Sequence, residues 1–201
     1  MNVGVLGGTF DPIHVGHLIV AEEARMKLGL SEVLFVPAGQ PWLKRGRDIT
    51  PAVHRVEMVR RAIADNPYFK LSTLEVDRPG PSYTADTLTS LKDQPSSESS
   101  LFFILGRDTL VELPLWKEPG EVVQLCHLVV APRIGSRDLG HLEDAIPGVL
   151  DKVIQLDMPV IGISSSEIRQ RVARGLSIRY LVPPGVRKYI TEHGLYSGSA
   201  T

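Results

Sequence analysis

Six short apolar, β-branched runs punctuate the chain: Val3–Leu6, Val33–Val36, Leu71–Val76, Leu101–Leu105, Leu128–Ala131 and Val153–Leu156. Each reads as a buried strand. Between most of them the apolar positions recur with helical spacing, at Val15–Leu28, Pro51–Asp65, Thr84–Lys92 and Thr109–Leu125, the last broken near Pro114 into two short helices. Strands alternating with helices predict an α/β fold, a parallel sheet with helices on both faces. Ligands of such sheets bind beyond the carboxyl ends of the strands. A small C-terminal helical segment closes the chain. Its first helix, Ser165–Arg174, opens on capping serines with Glu167 in its first turn and ends at Gly175. Its second, Gly185–His193, is entered through Pro184 and stopped by Gly194. Asp93–Ser100 reads as a polar loop, Pro37–Thr50 and Pro132–Gly148 as longer mobile connections, and Ser197–Thr201 as a disordered tail. With no repeat and no dividing linker, residues 1–196 read as one domain.

Composition narrows this little. The chain has 201 residues, 43% hydrophobic and 22% charged, which suffices for a sizeable core. A net charge of −1 supplies no general basic field, so neither nucleic acid nor a membrane surface is expected as a partner. The one cysteine, Cys126, lies in an apolar run and reads as a buried, inert thiol. No apolar run has the length of a membrane span, and the N-terminus runs straight into a strand pattern without a leader, so a cytoplasmic location is expected.

The chemistry concentrates where the first strand meets the first helix, in Gly7-Gly8-Thr9-Phe10-Asp11-Pro12-Ile13-His14-Val15-Gly16-His17. Two glycines allow a tight turn and a close approach of ligand to backbone N–H groups. Thr9 adds a hydroxyl, and Asp11-Pro12 is a turn start. His14 and His17, three apart, share one face of a helix entry, where unpaired N–H groups and the helix dipole favour anions. Donors of this kind suit a crowded, highly anionic group. A metal site is not expected, because no third ligand stands at a suitable spacing. Far along the chain, Ser164, Ser165 and Ser166 form a second candidate anion cradle at a helix start, with Arg169 one turn on. Read alone, these serines would equally serve as an ordinary helix cap with Arg169 in solvent.

The first stretch resembles the signature of the nucleotidyltransferase superfamily, with its His-x-Gly-His core at His14–His17. Ile163-Ser164-Ser165-Ser166-Glu167-Ile168-Arg169 resembles the superfamily's Ile-Ser-Ser-Thr-x-Ile-Arg motif, Ser166 keeping a hydroxyl where Thr is usual. The resemblance implies a Rossmann-like doubly wound parallel sheet. It implies an enzyme that joins a nucleoside triphosphate to a phosphate-bearing acceptor and releases pyrophosphate. His14 and His17 would then be catalytic, stabilising charge on the α-phosphate. Gly7, Gly8, Thr9, Phe10, Ser164, Ser165, Ser166 and Arg169 would bind ATP, with Mg²⁺ carried by the ATP phosphates.

Segments in the middle of the chain resemble one family of that superfamily, the nicotinate-nucleotide adenylyltransferases. Ser82-Tyr83-Thr84-Ala85-Asp86-Thr87-Leu88 is similar to its Ser-Tyr-Thr-x-x-Thr-Leu segment, and Leu113-Pro114-Leu115-Trp116 to its Leu-Pro-x-Trp. Thr84 would then contact the pyridine substituent, with a helix N-cap as its structural alternative. Trp116 would stack on the ring, with core packing as its alternative. Gly106-Arg107-Asp108 resembles the family's Gly-Ala-Asp and places Gly106 and Asp108 on the adenosine side. Pro41-Trp42-Leu43-Lys44 keeps only the first Pro and the Lys of the family's Pro-Pro-His-Lys. Lys44, Arg133 and Asp11 complete the implied substrate contacts. Arg179-Tyr180-Leu181-Val182-Pro183 and the final helix match the family's C-terminal segment and read as structural. The resemblance runs from Val3 to about Tyr196.

The expected substrates are ATP and nicotinate mononucleotide, and a homo-oligomer is compatible with the sequence. The alternatives are an adenylyltransferase for nicotinamide mononucleotide or phosphopantetheine, or a non-catalytic nucleotide-binding module. An aminoacyl-tRNA synthetase fragment would share the His-x-Gly-His element, but the chain carries the Ile163–Arg169 motif instead of a Lys-rich loop.

Overall fold

A computed structural model of the chain describes residues 1–42, 48–93, 99–132 and 139–198. Six strands form one parallel sheet: β1 (Asn2–Gly8), β2 (Glu32–Pro37), β3 (Phe69–Leu71), β4 (Ser100–Gly106), β5 (Cys126–Ala131) and β6 (Val153–Gln155), in the order β3-β2-β1-β4-β5-β6. The helices are α1 (Val15–Leu28), α2 (Ala52–Ile63), α3 (Leu74–Asp77), α4 (Thr84–Lys92), α5 (Arg107–Val111), α6 (Pro119–Leu125), α7 (Gly140–Ala145), α8 (Ser165–Ala173) and α9 (Pro184–Glu192). This is a Rossmann-like doubly wound sheet. Its strand order reverses between β1 and β4, where Leu6 pairs with Ile104. The strand ends two residues on, Gly8 and Gly106, therefore open into one crevice.

Period-two alternation along the strands feeds two cores. Leu6, Val33, Phe35, Phe102, Ile104 and Val129 face α1, α2, α8 and α9. Val5, Val36, Phe103, Leu105, Leu128 and Val130 face α4, α5, α6 and α7. Ala21 and Ala24, both fully buried, let α1 lie close on the sheet, and Gly29 ends that helix at φ +60°.

The structure departs from the sequence pattern in three places. The run Leu71–Val76 is not one strand: β3 stops at Leu71, and after Ser72 and Thr73 the residues Leu74–Asp77 wind into α3. β3 is an edge strand paired only to β2, so the chain turns inward once Leu71 has been paired. The Pro132–Gly148 connection contains α7, because Leu142 and Ile146 bury themselves beneath the second core. Between α5 and α6 the Pro114 region forms a short 3₁₀ turn, Leu113–Leu115, in place of a simple break. At the C-terminus, the first residue of the expected disordered tail, Ser197, donates to the Gly194 carbonyl at 2.6 Å. Residues 199–201 lie outside the described residues. Among the described residues, no helix is long and apolar enough to cross a membrane.

Candidate active site

The loop from Gly8 to His14 leaves the carboxyl end of β1 and is bent back under itself. Phe10 takes φ +51° and turns its ring inward, where it is 2% exposed and packs 6.1 Å from Phe35. A Cβ on Gly8 would meet that ring at 3.1 Å, which is why the loop carries glycine there. The Phe10 side chain is therefore core, and the nucleotide contact expected of Phe10 is open only to its backbone. The Asp11–Pro12 peptide is cis.

His14 is the N-cap residue of α1, with extended backbone and 7% exposure. His17 is half-buried one turn on, and the two imidazoles stack at 3.7 Å with 23° between planes. The Phe10 ring stands edge-on to His17 at 5.1 Å. Gly16 is required by this packing. A Cβ there would lie 3.0 Å from the His14 ring and 3.1 Å from Ile161. The backbone N–H of His14 donates to His17 Nδ1 at 3.2 Å. Nδ1 is thus an acceptor, so the neutral ring carries its proton on Nε2, which makes Nε2–H a hydrogen-bond donor.

The second motif meets the first in space. Ser165 Oγ donates to the Pro12 carbonyl at 2.9 Å, and Arg169 Nη1 donates to the Asp11 carbonyl at 2.7 Å. These bonds seat the N-terminus of α8 beside the start of α1. Ser164 caps α8 by accepting the Glu167 N–H at 3.2 Å, so the capping role is real, and its own hydroxyl proton remains to be given to an anion. Ser166 Oγ accepts from Arg169 Nη2 at 3.3 Å.

Asp11 is placed differently from its expected role as a substrate contact. Only 5% exposed, it receives the Tyr196 hydroxyl on Oδ1 at 2.6 Å and the Thr50 N–H on Oδ2 at 3.3 Å. Its carboxylate therefore holds the loop to the C-terminal segment. Burial, followed by the Asp11 carboxylate, pushes the Tyr196 hydroxyl well above the ordinary tyrosine range, so it stays a donor.

Arg55, unremarked in the sequence, sits fully buried between two strand ends. Its Nη1 donates to the Thr9 carbonyl at 2.8 Å and the Ala38 carbonyl at 2.7 Å, its Nη2 to Gly39 at 3.2 Å, and its Nε to Thr50 at 2.8 Å. Burial lowers its pKa, and the nearby Asp11 charge opposes that. The signal was present: with helical spacing 52-55-59-62, Arg55 falls inside the apolar stripe of α2.

Thr84 is the first residue of α4 and half-buried. Tyr83, not Thr84, occupies the N-cap position, so the capping alternative for Thr84 does not hold. Trp116 leans on the second core, edge-on to Phe103 at 5.9 Å, and Phe103 in turn touches the space above Gly7. The Trp116 Nε1–H is buried without an acceptor among the described residues. Gly106 precedes α5, whose first turn holds the exposed Asp108. Lys44 and Arg133 lie outside the described residues. The structure thus brings together Gly7–His17, Ser164–Arg169 and, across the β1–β4 switch point, Gly106–Asp108. Thr84 and Trp116 stand on the far side of the sheet ends.

A Rossmann-like crevice whose switch point is lined by a glycine loop, two stacked imidazoles and a second helix N-terminus defines a nucleotide-transferring class of site. A family model described as cytidylyltransferase-like matches residues 5–171. A Dehalococcoides mccartyi protein named "Probable nicotinate-nucleotide adenylyltransferase" is 48% identical over 98% of this chain and 97% of its own. One of the same name from Thermomicrobium roseum is 50% identical over 97% and 91%. Among solved structures, the Plasmodium falciparum nicotinic acid mononucleotide adenylyltransferase complexed with NaAD is similar in fold, with TM-score 0.80, 22% identity and 97% of each chain covered. The chain belongs to the nicotinate-nucleotide adenylyltransferase branch of the cytidylyltransferase-like family.

Proposed function

We infer that this protein is an adenylyltransferase that joins ATP to nicotinate mononucleotide, forming nicotinate adenine dinucleotide and pyrophosphate in NAD biosynthesis. The names of its relatives support the acceptor. The single observation that carries the chemistry is the docking of α8 on the histidine loop through Ser165–Pro12 and Arg169–Asp11. Two anion-binding helix starts then face one triphosphate.

The nucleophile is an acceptor phosphate oxygen that is already ionised, so no strong general base is required. It attacks the α-phosphorus in line; the new P–O bond forms as the bond to the β-phosphate oxygen breaks, and pyrophosphate leaves with that electron pair. His17 Nε2–H and the start of α1 stabilise charge growing on the α-phosphate oxygens, with His14 packed beside them. The hydroxyls of Ser164 and Ser166, the N–H groups at the start of α8, including that of Ser165, and Arg169 hold the β- and γ-phosphates, while the Ser165 hydroxyl keeps the two helix starts together. Mg²⁺, if carried in by those phosphates, would offset their charge. The donor set of hydroxyls, N–H groups and imidazoles suits a metal held by phosphate oxygens and water rather than by a protein cage. On the acceptor side, the first-turn N–H groups of α4 beside Thr84 suit the nicotinate carboxylate, and the Trp116 ring offers a stacking face. A cytoplasmic location is part of this reading.

Purified protein with ATP, Mg²⁺ and nicotinate mononucleotide should release pyrophosphate and yield the dinucleotide, with the nicotinamide nucleotide run in parallel. No pyrophosphate with the acid refutes the function, and faster turnover of the amide reassigns the acceptor.

A further inference from the structure

We propose that Glu75 is a positioning residue for the acceptor side of the site, locking the loop after β2 to the start of α4; the proposal rests on the adenylyl-transfer reading above. Glu75 lies in α3 and is 8% exposed, and among the described residues no Lys or Arg forms an ion pair with its carboxyl group. Its oxygens are satisfied by hydroxyls. Thr87 Oγ1 donates to Oε1 at 2.7 Å, and the Ser82 hydroxyl is the second partner.

Ser82 decides what this pairing does. Its Oγ accepts the N–H of Gly39 at 2.9 Å and the N–H of Gln40 at 3.2 Å. A hydroxyl accepting two N–H donors has only its proton left to give, and the neighbouring Glu75 carboxyl, which Ser82 pulls toward the charged form, is the acceptor we assign to it. The backbone follows the same path: Ser82 N–H donates to the Gln40 carbonyl at 2.9 Å, and Pro41 pairs with Ser82 in a parallel bridge. Gly39 comes so close that a Cβ there would stand 2.2 Å from the Glu75 carbonyl oxygen. One carboxyl group therefore fixes two segments at once. The first, residues 39–41, leads into Trp42, whose ring lies 5.8 Å from that of Tyr83. The second, residues 82–87, contains Thr84 and the first turn of α4.

Arg78 braces the same turn from outside, donating to Thr87 Oγ1 at 3.4 Å, the Asp86 carbonyl at 3.3 Å and Ser90 Oγ at 3.1 Å. Burial raises the Glu75 pKa above the ordinary carboxylate value, while Thr87, Ser82 and the Arg78 charge pull it back. An apolar residue at this position would remove the nearer acceptor of the buried Thr87 hydroxyl, leaving it only the Tyr83 carbonyl at 3.1 Å, and would take away the carboxyl beside half-buried Ser82, loosening both segments together. Glu75 itself touches no substrate. It acts through Ser82 and Thr87 on the geometry of the N–H groups and rings proposed to hold the pyridine nucleotide, where displacements on the order of 1 Å are costly to turnover.

The test is steady-state kinetics on both substrates for the wild type, Glu75→Ala, Glu75→Gln and Ser82→Ala. Glu75→Ala should raise KM for nicotinate mononucleotide about tenfold or more, while KM for ATP stays within about twofold. Glu75→Gln, which keeps the shape and one acceptor oxygen, should restore part of the difference. Ser82→Ala breaks the same link from the other side, should show the same selective rise, and carries the test if Glu75→Ala does not fold. Equal rises in both KM values, or an unchanged KM for the mononucleotide in an active variant, overturn the proposal alone. A wild type that releases no pyrophosphate with nicotinate mononucleotide overturns the functional reading and this proposal with it.

Discussion

Replacing Arg55 by Met removes the guanidinium donors from the junction of the two loops while keeping most of the aliphatic volume. The guanidinium supplies four hydrogen bonds, to the carbonyls of Thr9, Ala38, Gly39 and Thr50. Each such bond from a charged donor is worth about 1.5–3 kcal/mol when its partner stays buried. Simple addition overshoots, because Thr9, Gly39 and Thr50 are only half-buried and water can reach their carbonyls once the side chain has gone. Ala38, 8% exposed, has no such relief. The Asp11 carboxylate also loses the nearby guanidinium charge. The expected loss is therefore about 3–5 kcal/mol in all. At 2–4 °C per kcal/mol for a chain of this size, the melting temperature should fall by about 6–20 °C. Activity should fall further than unfolding explains, because Thr9 leads to the histidines and Ala38–Gly39 leads to the acceptor loop. Circular-dichroism melts, with initial rates of pyrophosphate release measured well below the variant's midpoint, separate the two effects. A Met variant melting within about 2 °C of the wild type with unchanged kcat/KM would refute the bridging role.

Three further outcomes follow from the geometry. His17→Ala should lower kcat on the order of 10²–10³-fold with little change in ATP affinity; a loss confined to affinity would mean that the site only binds nucleotide. Tyr196→Phe deletes the 2.6 Å bond to the Asp11 carboxylate and should cost about 1.5–3 kcal/mol in urea unfolding, so a variant as stable as the wild type would count against the C-terminal anchor. Burial pushes the Cys126 thiol up to about 12, which leaves about one part in ten thousand as thiolate at pH 8. A disulfide reagent at that pH should therefore label the thiol only after denaturation, and rapid labelling of the folded protein would contradict its burial.

The α/β alternation and both phosphate motifs were legible because they are local. A strand end, a glycine pair and a helix start lie within a dozen residues, and their spacing carries the chemistry. Thr84–Lys92 and Val15–Leu28 form helices over the ranges their periodicity predicts. Edge structure was not legible: whether Leu71–Val76 extends or coils depends on there being only one neighbouring strand to pair with. The sequence by itself therefore pointed to the reaction class, through the motifs that hold His14, His17 and Ser164–Arg169. Only the tertiary structure decided how that loop is held. Asp11 is bound by Tyr196, Thr9 by Arg55, and Gly39 by Ser82 under Glu75, contacts that span from about 40 to 185 positions along the chain. The physical reason is that a buried charge needs its partners wherever the fold delivers them, and no periodicity along the chain records which distant carbonyl or hydroxyl that will be.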